Sequence, residues 1–387
     1  MTLASSERLR GELNRLLHRG QGVREFSMSA ARIVSRAVPF DGVCVVTMDP
    51  ATMLPTGEIT ENGLPGSANA RMIEIELGGE DFNSFRTLRR SGDIAAGLSD
   101  ATGGDLNRSV RHRELKRPHG FGDELRAALV GDSATWGGLA LLRASGRAPF
   151  SPDDASLVAS LSRYFAEGLR RAMLLGALSS DGPVNTPTGG VVLLAADNSI
   201  TRADPAAQMW LAELRDSGSW SDPVPSVVAA VANRARDITD ASRTSEDVAR
   251  ARVRTASGTW LLVRGSRLGD GEDAETAVIL EPARPHELAP LIAAAYGLTD
   301  RERAVTQLVA QGLSTSAIAS QLHISPWTVQ DHLKAIFEKV GAGTRGELVA
   351  RVFFDHYAPR LSEGATLGAD GWFAPAPAAD GSPTDDH

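Results

Sequence analysis

Residues 298–349 read LTDRERAVTQLVAQGLSTSAIASQLHISPWTVQDHLKAIFEKVGAGTRGELV, and the helix-boundary chemistry in this stretch sets the fold of the C-terminal region. Thr299 followed three residues later by Glu302 is a capping box, and Gly312 stands where the helix it opens must end in a left-handed residue. Ser314 caps a second, short helix through Leu322, and His323-Ile324 form a tight turn. Ser325 with Pro326 starts a third helix, which runs to Val340 before Gly341. Thr344 and Glu347 form another capping box for a fourth helix reaching Phe354. Four helices within about sixty residues, the second and third joined across a tight turn, make a helix-turn-helix.

The third helix carries its own division of labour. Val329, Leu333, Ile336 and Val340 recur at intervals of four, three and four, which makes one buried stripe. Trp327, Gln330, Asp331, Lys334 and Glu338 project from the other face, and the groups at 330, 331 and 334 are spaced to meet adjacent base edges in a major groove. Lys334 offers either a guanine or a phosphate contact, and Gln330 an adenine or neighbouring base contact; Asp331 either accepts from cytosine N4 or opposes phosphate. From Leu298 to Arg360 there are Arg301, Arg303, Lys334, Lys339, Arg345, Arg351 and Arg360 against Asp300, Glu302, Asp331, Glu338, Glu347 and Asp355. That is a net +1 within a chain of formal charge -8, so any nucleic-acid contact is local. With so modest a charge, a solvated helical domain that docks protein through the same face is the competing reading.

Working outward, the 387 residues suggest two to four domains, and 42% hydrophobic with 23% charged residues is ordinary globular usage. Cys44 is the only cysteine, which excludes an intramolecular disulfide and a zinc site built on several thiolates and points to a reducing cytoplasm. The first thirty residues alternate charges with leucines, so no secretory signal is expected. Apolar runs such as Val191 to Ala196 are too short to cross a membrane. Helical periodicity marks residues 1–20 and Val23 to Val38, and Val43 to Met48 reads as a strand ended by Asp49-Pro50. The alternation over Arg71 to Leu77 predicts a half-buried strand; Glu124 to Val130 and Trp136 to Leu142 predict two more. The long helix from Pro152 to Leu178 carries more apolar stripe than one sheet face needs, which suggests pairing with a second copy. Residues 179–188 are turn chemistry and serve as a linker. A second α+β unit follows, with strands at 190–195, 199–201, 248–255, 259–265 and 276–281 and a helix at 206–214. Residues 286–297 form a helical connector, and 362–387, rich in Ala-Pro and Gly with five acids and no Lys or Arg, predict a disordered tail.

Resemblance to known families adds to this reading. Leu298-Thr299-Asp300-Arg301-Glu302, Gly312-Leu313-Ser314, Ile318-Ala319, Ile324-Ser325, Thr328-Val329, His332, Lys339 and Arg345-Gly346-Glu347-Leu348-Val349 resemble the LuxR-type helix-turn-helix family. The resemblance implies DNA binding through the Pro326 to Val340 helix, with Thr328, Gln330, Asp331, Lys334, Lys339, Arg345 and Thr315 as site residues. Family members usually carry Glu where Ala317 stands and often a basic residue where Gln330 stands. Pro39-Phe40-Asp41-Gly42, Asp49-Pro50-Ala51-Thr52, Trp136-Gly137-Gly138-Leu139 and Pro149-Phe150-Ser151 make residues 21–178 similar to a GAF domain. Gly190 to Leu194 with Asp197-Asn198 and Asp204-Pro205-Ala206-Ala207 make residues 189–285 similar to a PAS domain.

The fold class expected is therefore multidomain: two α+β sensor units, GAF-like and PAS-like, followed by an all-α four-helix helix-turn-helix domain at 298–361. The resemblance implies a cytoplasmic one-component transcriptional regulator, acting on double-stranded DNA as a homodimer, with RNA polymerase and a small-molecule effector of unknown identity as further partners. No cofactor or metal is expected. Residues 188–285 hold no His or Cys for a haem or a cysteinyl flavin, His112 and His119 lie in an Arg-rich stretch that reads as loop, and Cys44 reads as a small apolar residue within a strand. Asp49 to Gly57 lacks the earlier acidic pair of a phosphoacceptor site, and Gly103-Gly104-Asp105-Leu106 lacks the further acid of a cyclase turn. His286-Glu287 has no second His at zincin spacing, and there is no P-loop lysine. No catalytic residues are expected, and the alternative is a signalling scaffold or an enzyme with its site in the GAF-like unit.

Overall fold

The computed structural model describes residues 3–349 apart from 80, 132–133, 176–188, 217–223, 238–247, 270–273, 285–286, 289–290 and 292–295. The linker at 179–188, the tail at 362–387, the end of the fourth helix beyond residue 349 and most of the connector lie outside the described residues. The chain divides into two compact units, with the division between Ala304 and Val305.

The first unit opens with helices α1 (Leu3–Leu16) and α2 (Val23–Ser35) and contains two antiparallel sheets. The first sheet comprises β1 (Gly42–Met48), β2 (Pro55–Glu61), β3 (Ala95–Gly97), β4 (Phe121–Gly131) and β5 (Ala134–Ala144), in the order β2-β1-β5-β4-β3. Val45 pairs with both Ile59 and Leu139, which fixes β1 as an inner strand. Helices α3 (Asn69–Gly78), α4 (Phe85–Ser91) and the short α5 (Leu98–Ala101) lie between β2 and β4 in the chain, and α6 (Pro152–Leu175) follows β5. The WGGL motif has a packing reason: a Cβ on Gly138 would stand 2.4 Å from the Phe85 ring, so only glycine lets α4 lie this close to β5.

The Arg71 to Leu77 expectation is corrected by α3. Ile73 and Leu77 join the core of the second sheet, whereas Ile75 and Met72 pack with Ala68 and Leu115. Apolar residues on two faces of a helix erase the single 3.6-residue stripe and leave an alternation that imitates a strand. The left-handed Gly79 (φ 72°) ends the helix.

Up to Ala172 the apolar stripe on α6 is covered within the chain, and the expected continuation to Leu178 lies outside the described residues. Helix α6 packs on β3, β4 and β5 and also against α1 and α2, with the Phe26 and Phe165 rings meeting edge to face at 6.4 Å. Leu169 and Ala172 are 0% and 4% exposed, so they are core residues and not a free seam for a second copy.

The second sheet contains β6 (Gly190–Leu194), β7 (Ile200–Ala203), β8 (Arg250–Arg254), β9 (Trp260–Leu268) and β10 (Glu275–Pro282), in the order β7-β6-β10-β9-β8. Between β7 and β8 run α7 (Pro205–Asp216) and α8 (Ser226–Asp237). Asp204 accepts from the amides of Ala207 at 2.7 Å and Val191 at 3.0 Å, so one carboxylate caps α7 and ties it to β6. Every residue of α8 from Ser226 to Ala235 is buried, because α8 is clasped between β9 and β10 on one side and α3 and β2 of the first sheet on the other.

The described residues of the second compact unit are helices and their connecting turns. The C-terminal segment runs α9 (Asp300–Ala310), α10 (Thr315–Leu322), α11 (Pro326–Val340) and α12 (Arg345–Val349). Two α+β sheet units followed by an all-α domain are the fold class expected from the sequence.

Candidate functional site

Local chemistry fixes the geometry of α10 and α11. The Ser314 hydroxyl accepts from the Ala317 amide at 3.3 Å and the Ser325 hydroxyl from the Thr328 amide at 3.0 Å, so each helix begins at a capped serine. His323 ends α10 in the left-handed region (φ 53°) and sends the chain directly to Ser325. Pro326 occupies the first turn of α11, and Gly341 (φ 71°) ends it. Val329, Leu333, Ile336 and Val340 are buried as their spacing predicts, and with Ile318, Ala319 and Leu348 they form the domain's interior. The Thr299–Glu302 capping box is complete: Thr299 N donates to Glu302 Oε2 at 2.7 Å and Glu302 N to Thr299 Oγ1 at 3.3 Å.

The structure brings some of the expected site residues together and separates others. Gln330, Asp331 and Lys334 are exposed on one face of α11, opposite the buried stripe. Thr315, Gln330 and Lys334 border one open depression of about 490 Å³ with Phe337 and Glu338. Thr328 is half-buried, its hydroxyl 2.8 Å from that of Ser325, and so takes part in the cap. Arg345 donates to the Leu313 carbonyl at 2.9 Å and to the Thr315 hydroxyl at 2.8 Å, fastening the start of α12 to the start of α10. Sequence spacing gave no sign of that tie. Lys339 is exposed in the last turn of α11, about 140° around the axis from Lys334 at 100° per residue. There a basic side chain also complements the helix dipole.

The first sheet holds a second candidate site. A cavity of about 170 Å³ lies between β1, β2, α3 and α4, lined by Val46, Met48, Met53, Met72, Phe85 and, from α8 of the second sheet, Arg234. Its mixed lining of thioethers, an aromatic ring and charged groups suits a small molecule with an apolar body.

Beside the helices of this sheet lies a buried ionic cluster that sequence reading missed. Arg111 Nε donates to Glu124 Oε2 at 2.8 Å and its Nη1 stands 3.2 Å from Asp81 Oδ2, while Lys116 Nζ is 3.4 Å from Glu124 Oε1. Arg126 donates to Glu76 at 2.6 Å and lies 3.9 Å over the Phe85 ring. Burial would raise the Glu124 carboxyl, but Arg111, Lys116 and Arg126 together hold it well below the usual carboxylate range. Burial lowers the Lys116 ammonium, and Glu124 opposes that shift. The stretch holding His112 and His119 is not open loop: His112 is buried in a short π-helical turn and pushed down by that burial, and His119 Nδ1 lies 2.7 Å from the Leu115 carbonyl. The only signal in the sequence was the density of Arg and Lys between 108 and 117, which equally describes a solvated loop. Cys44 sits in β1 as expected, and burial pushes its thiol well up, so it stays protonated at neutral pH.

Comparison with known proteins places the helical domain. Residues 297–352 match the family described as "Bacterial regulatory proteins, luxR family". The transcriptional regulatory protein UhpA of Escherichia coli is 43% identical over 56 residues, 14% of this chain and 29% of that protein. A nitrate/nitrite response regulator protein homolog of Haemophilus influenzae is 38% identical over 98 residues, 24% of this chain and 43% of that protein. An HTH-type transcriptional regulator of Mycobacterium bovis matches at 48% over 52 residues, only 6% of its length. The chain thus spans less than half the length of each of these relatives. Among solved structures, a GAF domain from a Coxiella burnetii phosphoenolpyruvate-protein phosphotransferase shares 14% identity, covering 46% of this chain and 99% of that one, at a TM-score of 0.33. Capped helices, a left-handed turn between them and the match over 297–352 agree: the C-terminal domain is a LuxR-type helix-turn-helix domain.

Proposed function

We propose that this protein is a DNA-binding one-component transcriptional regulator in which α11 enters a major groove. The observation that carries this reading is the division of α11 into a buried stripe at 329, 333, 336 and 340 and an exposed face bearing Gln330, Asp331 and Lys334, within a domain of the luxR family. The cavity between β1, β2, α3 and α4 is the proposed effector site, and Arg234 in its lining puts the second sheet in reach of whatever occupies it. The protein acts in the cytoplasm as a homodimer that presents two such helices to two half-sites, with RNA polymerase as its further partner. No helix among the described residues is long and apolar enough to cross a membrane.

Incubating the full-length protein with a fragment library of genomic DNA at low salt tests the central claim. Retention of specific duplexes supports it, and retention of no duplex at all makes the polar face of α11 a protein-docking surface. Native mass spectrometry of the purified chain reads oligomeric state and any retained small molecule together.

A further inference from the structure

Trp327 is 74% exposed, the most exposed large hydrophobic side chain among the described residues, with Leu268 next at 47%. A bare indole is unusual on a face that otherwise carries Gln330, Asp331 and Lys334, and an exposed aromatic set among polar groups marks a surface that meets a partner. Its position is rigid: Ser325 caps the helix, Pro326 fixes the backbone before it, and Trp327 occupies the second position of α11. At 100° per residue, Trp327 lies within about 60° of Gln330, Asp331 and Lys334 around the helix axis. It therefore shares the face expected to meet base edges, and it stands at the N-terminal end of the helix, where such contacts concentrate.

Resting on the regulator reading above, we propose that Trp327 is a specificity-determining residue that packs its indole against a thymine C5-methyl group in the major groove. The chemistry favours this occupant over another. Residues 298–360 carry seven basic side chains against six acidic ones, so the domain's net attraction for phosphate is weak. Specific binding then requires a contribution that owes nothing to charge, and the apolar group a major groove displays is the thymine methyl.

The test uses the full-length protein and the shortest duplex it retains from the genomic library, with each thymine replaced in turn by deoxyuridine, which differs only by the missing methyl. Wild type should lose about three- to fivefold in affinity at one thymine per half-site, the worth of one buried methyl. Trp327→Ala should bind the thymine duplex about tenfold more weakly and treat thymine and deoxyuridine alike there, while Trp327→Phe keeps the discrimination. Because the side chain is exposed, the variants should melt with wild type, which separates lost contact from lost fold. Equal affinity of Trp327→Ala and wild type overturns the proposal, as does a loss shared by every duplex and independent of any methyl. A shift toward monomer in sedimentation with no change in thymine discrimination also overturns it and gives the indole to a contact between copies. If wild type retains no duplex, the regulator reading itself has failed, a result distinct from a duplex bound equally with and without the indole.

Discussion

The Asp49 carboxylate grips the Arg252 guanidinium through two bonds, Oδ2 to Nε at 2.8 Å and Oδ1 to Nη2 at 2.6 Å, and Oδ2 also accepts the Arg252 amide at 2.8 Å. Asp49 directly follows β1 of the first sheet and Arg252 lies in β8 of the second, so one buried bidentate pair stitches the two sheets together. Its remaining oxygen capacity holds the turn that follows β1, through the Ala51 amide at 2.9 Å.

Removing one partner of that pair leaves the other charged and buried. Arg252→Ala should cost about 3–5 kcal/mol of stability. In urea melts the unfolding transition of the two-sheet unit should move to lower denaturant with an unchanged slope. The double variant Asp49→Ala/Arg252→Ala should lose less than the two single losses combined. Additive losses would mean that the pair contributes nothing as a pair.

The ionic cluster makes a pH prediction. The folded Glu124 carboxyl is lowered from an ordinary value of 4.5, so its contribution is fully present above that value and is lost as pH falls below it toward the folded pKa. Thermal midpoints of wild type should fall steeply below about pH 4.5, and Glu124→Gln, already destabilised by about 3–5 kcal/mol at pH 7, should fall less steeply over the same window. Parallel slopes for the two proteins would remove Glu124 as the source.

On α11, Gln330→Ala should cost about 1–3 kcal/mol at a specific site and leave nonspecific affinity nearly unchanged. A phosphate-bound Lys334 behaves differently: its removal weakens all sequences alike and lowers the salt slope by about one. Asp331→Ala relaxes specificity at one position if the carboxylate accepts from cytosine, and tightens binding to every duplex if it only repels phosphate. Titrations at several salt concentrations distinguish these cases.

Ala317 stands at the third position of α10, where a glutamate would return a bond to the Ser314 amide and complete a capping box. Ala317→Glu should therefore stabilise the helical domain by about 0.5 kcal/mol, read as slower amide exchange across α10. No change in exchange would show that the Ser314 cap already supplies all that this helix end requires.

Leu169→Glu should abolish folded protein and not merely halve its mass in sedimentation, because the position is enclosed by the chain's own helices and sheet. A folded monomer carrying this substitution would place the residue at a seam after all.

The helical domain was legible in the sequence because its boundaries are written in local chemistry: Ser314, Ser325, Pro326 and Gly341 act on neighbours within four residues. The strands β4, β5, β9 and β10 were legible for the same reason, each carrying an apolar pattern between turn residues. What stayed hidden depended on partners distant in the chain. Helix α3 imitated a strand because two different cores share it, and α8 was missed because its run from Val227 to Ala232 is apolar on every side. Arg111 and Lys116 looked like solvated loop because Glu124, which neutralises them, arrives on a later strand. On the candidate interface, the shared face of Gln330, Asp331 and Lys334 followed from helical spacing, but the Arg345–Thr315 tie spans thirty residues and no periodicity encodes it.

A helix walled in from Ser226 to Ala235 has a consequence for anyone who would cut and splice this chain. The segment that completes the second sheet's interior is also the wall on which Leu54 and Ile73 of the first sheet rest, so neither sheet is a portable module. A chimera that borrows one without the other lays bare a strip of valine and alanine on one fragment and an orphaned Asp49 or Arg252 on its counterpart. The two sheets must be transplanted, truncated or recombined as a single piece.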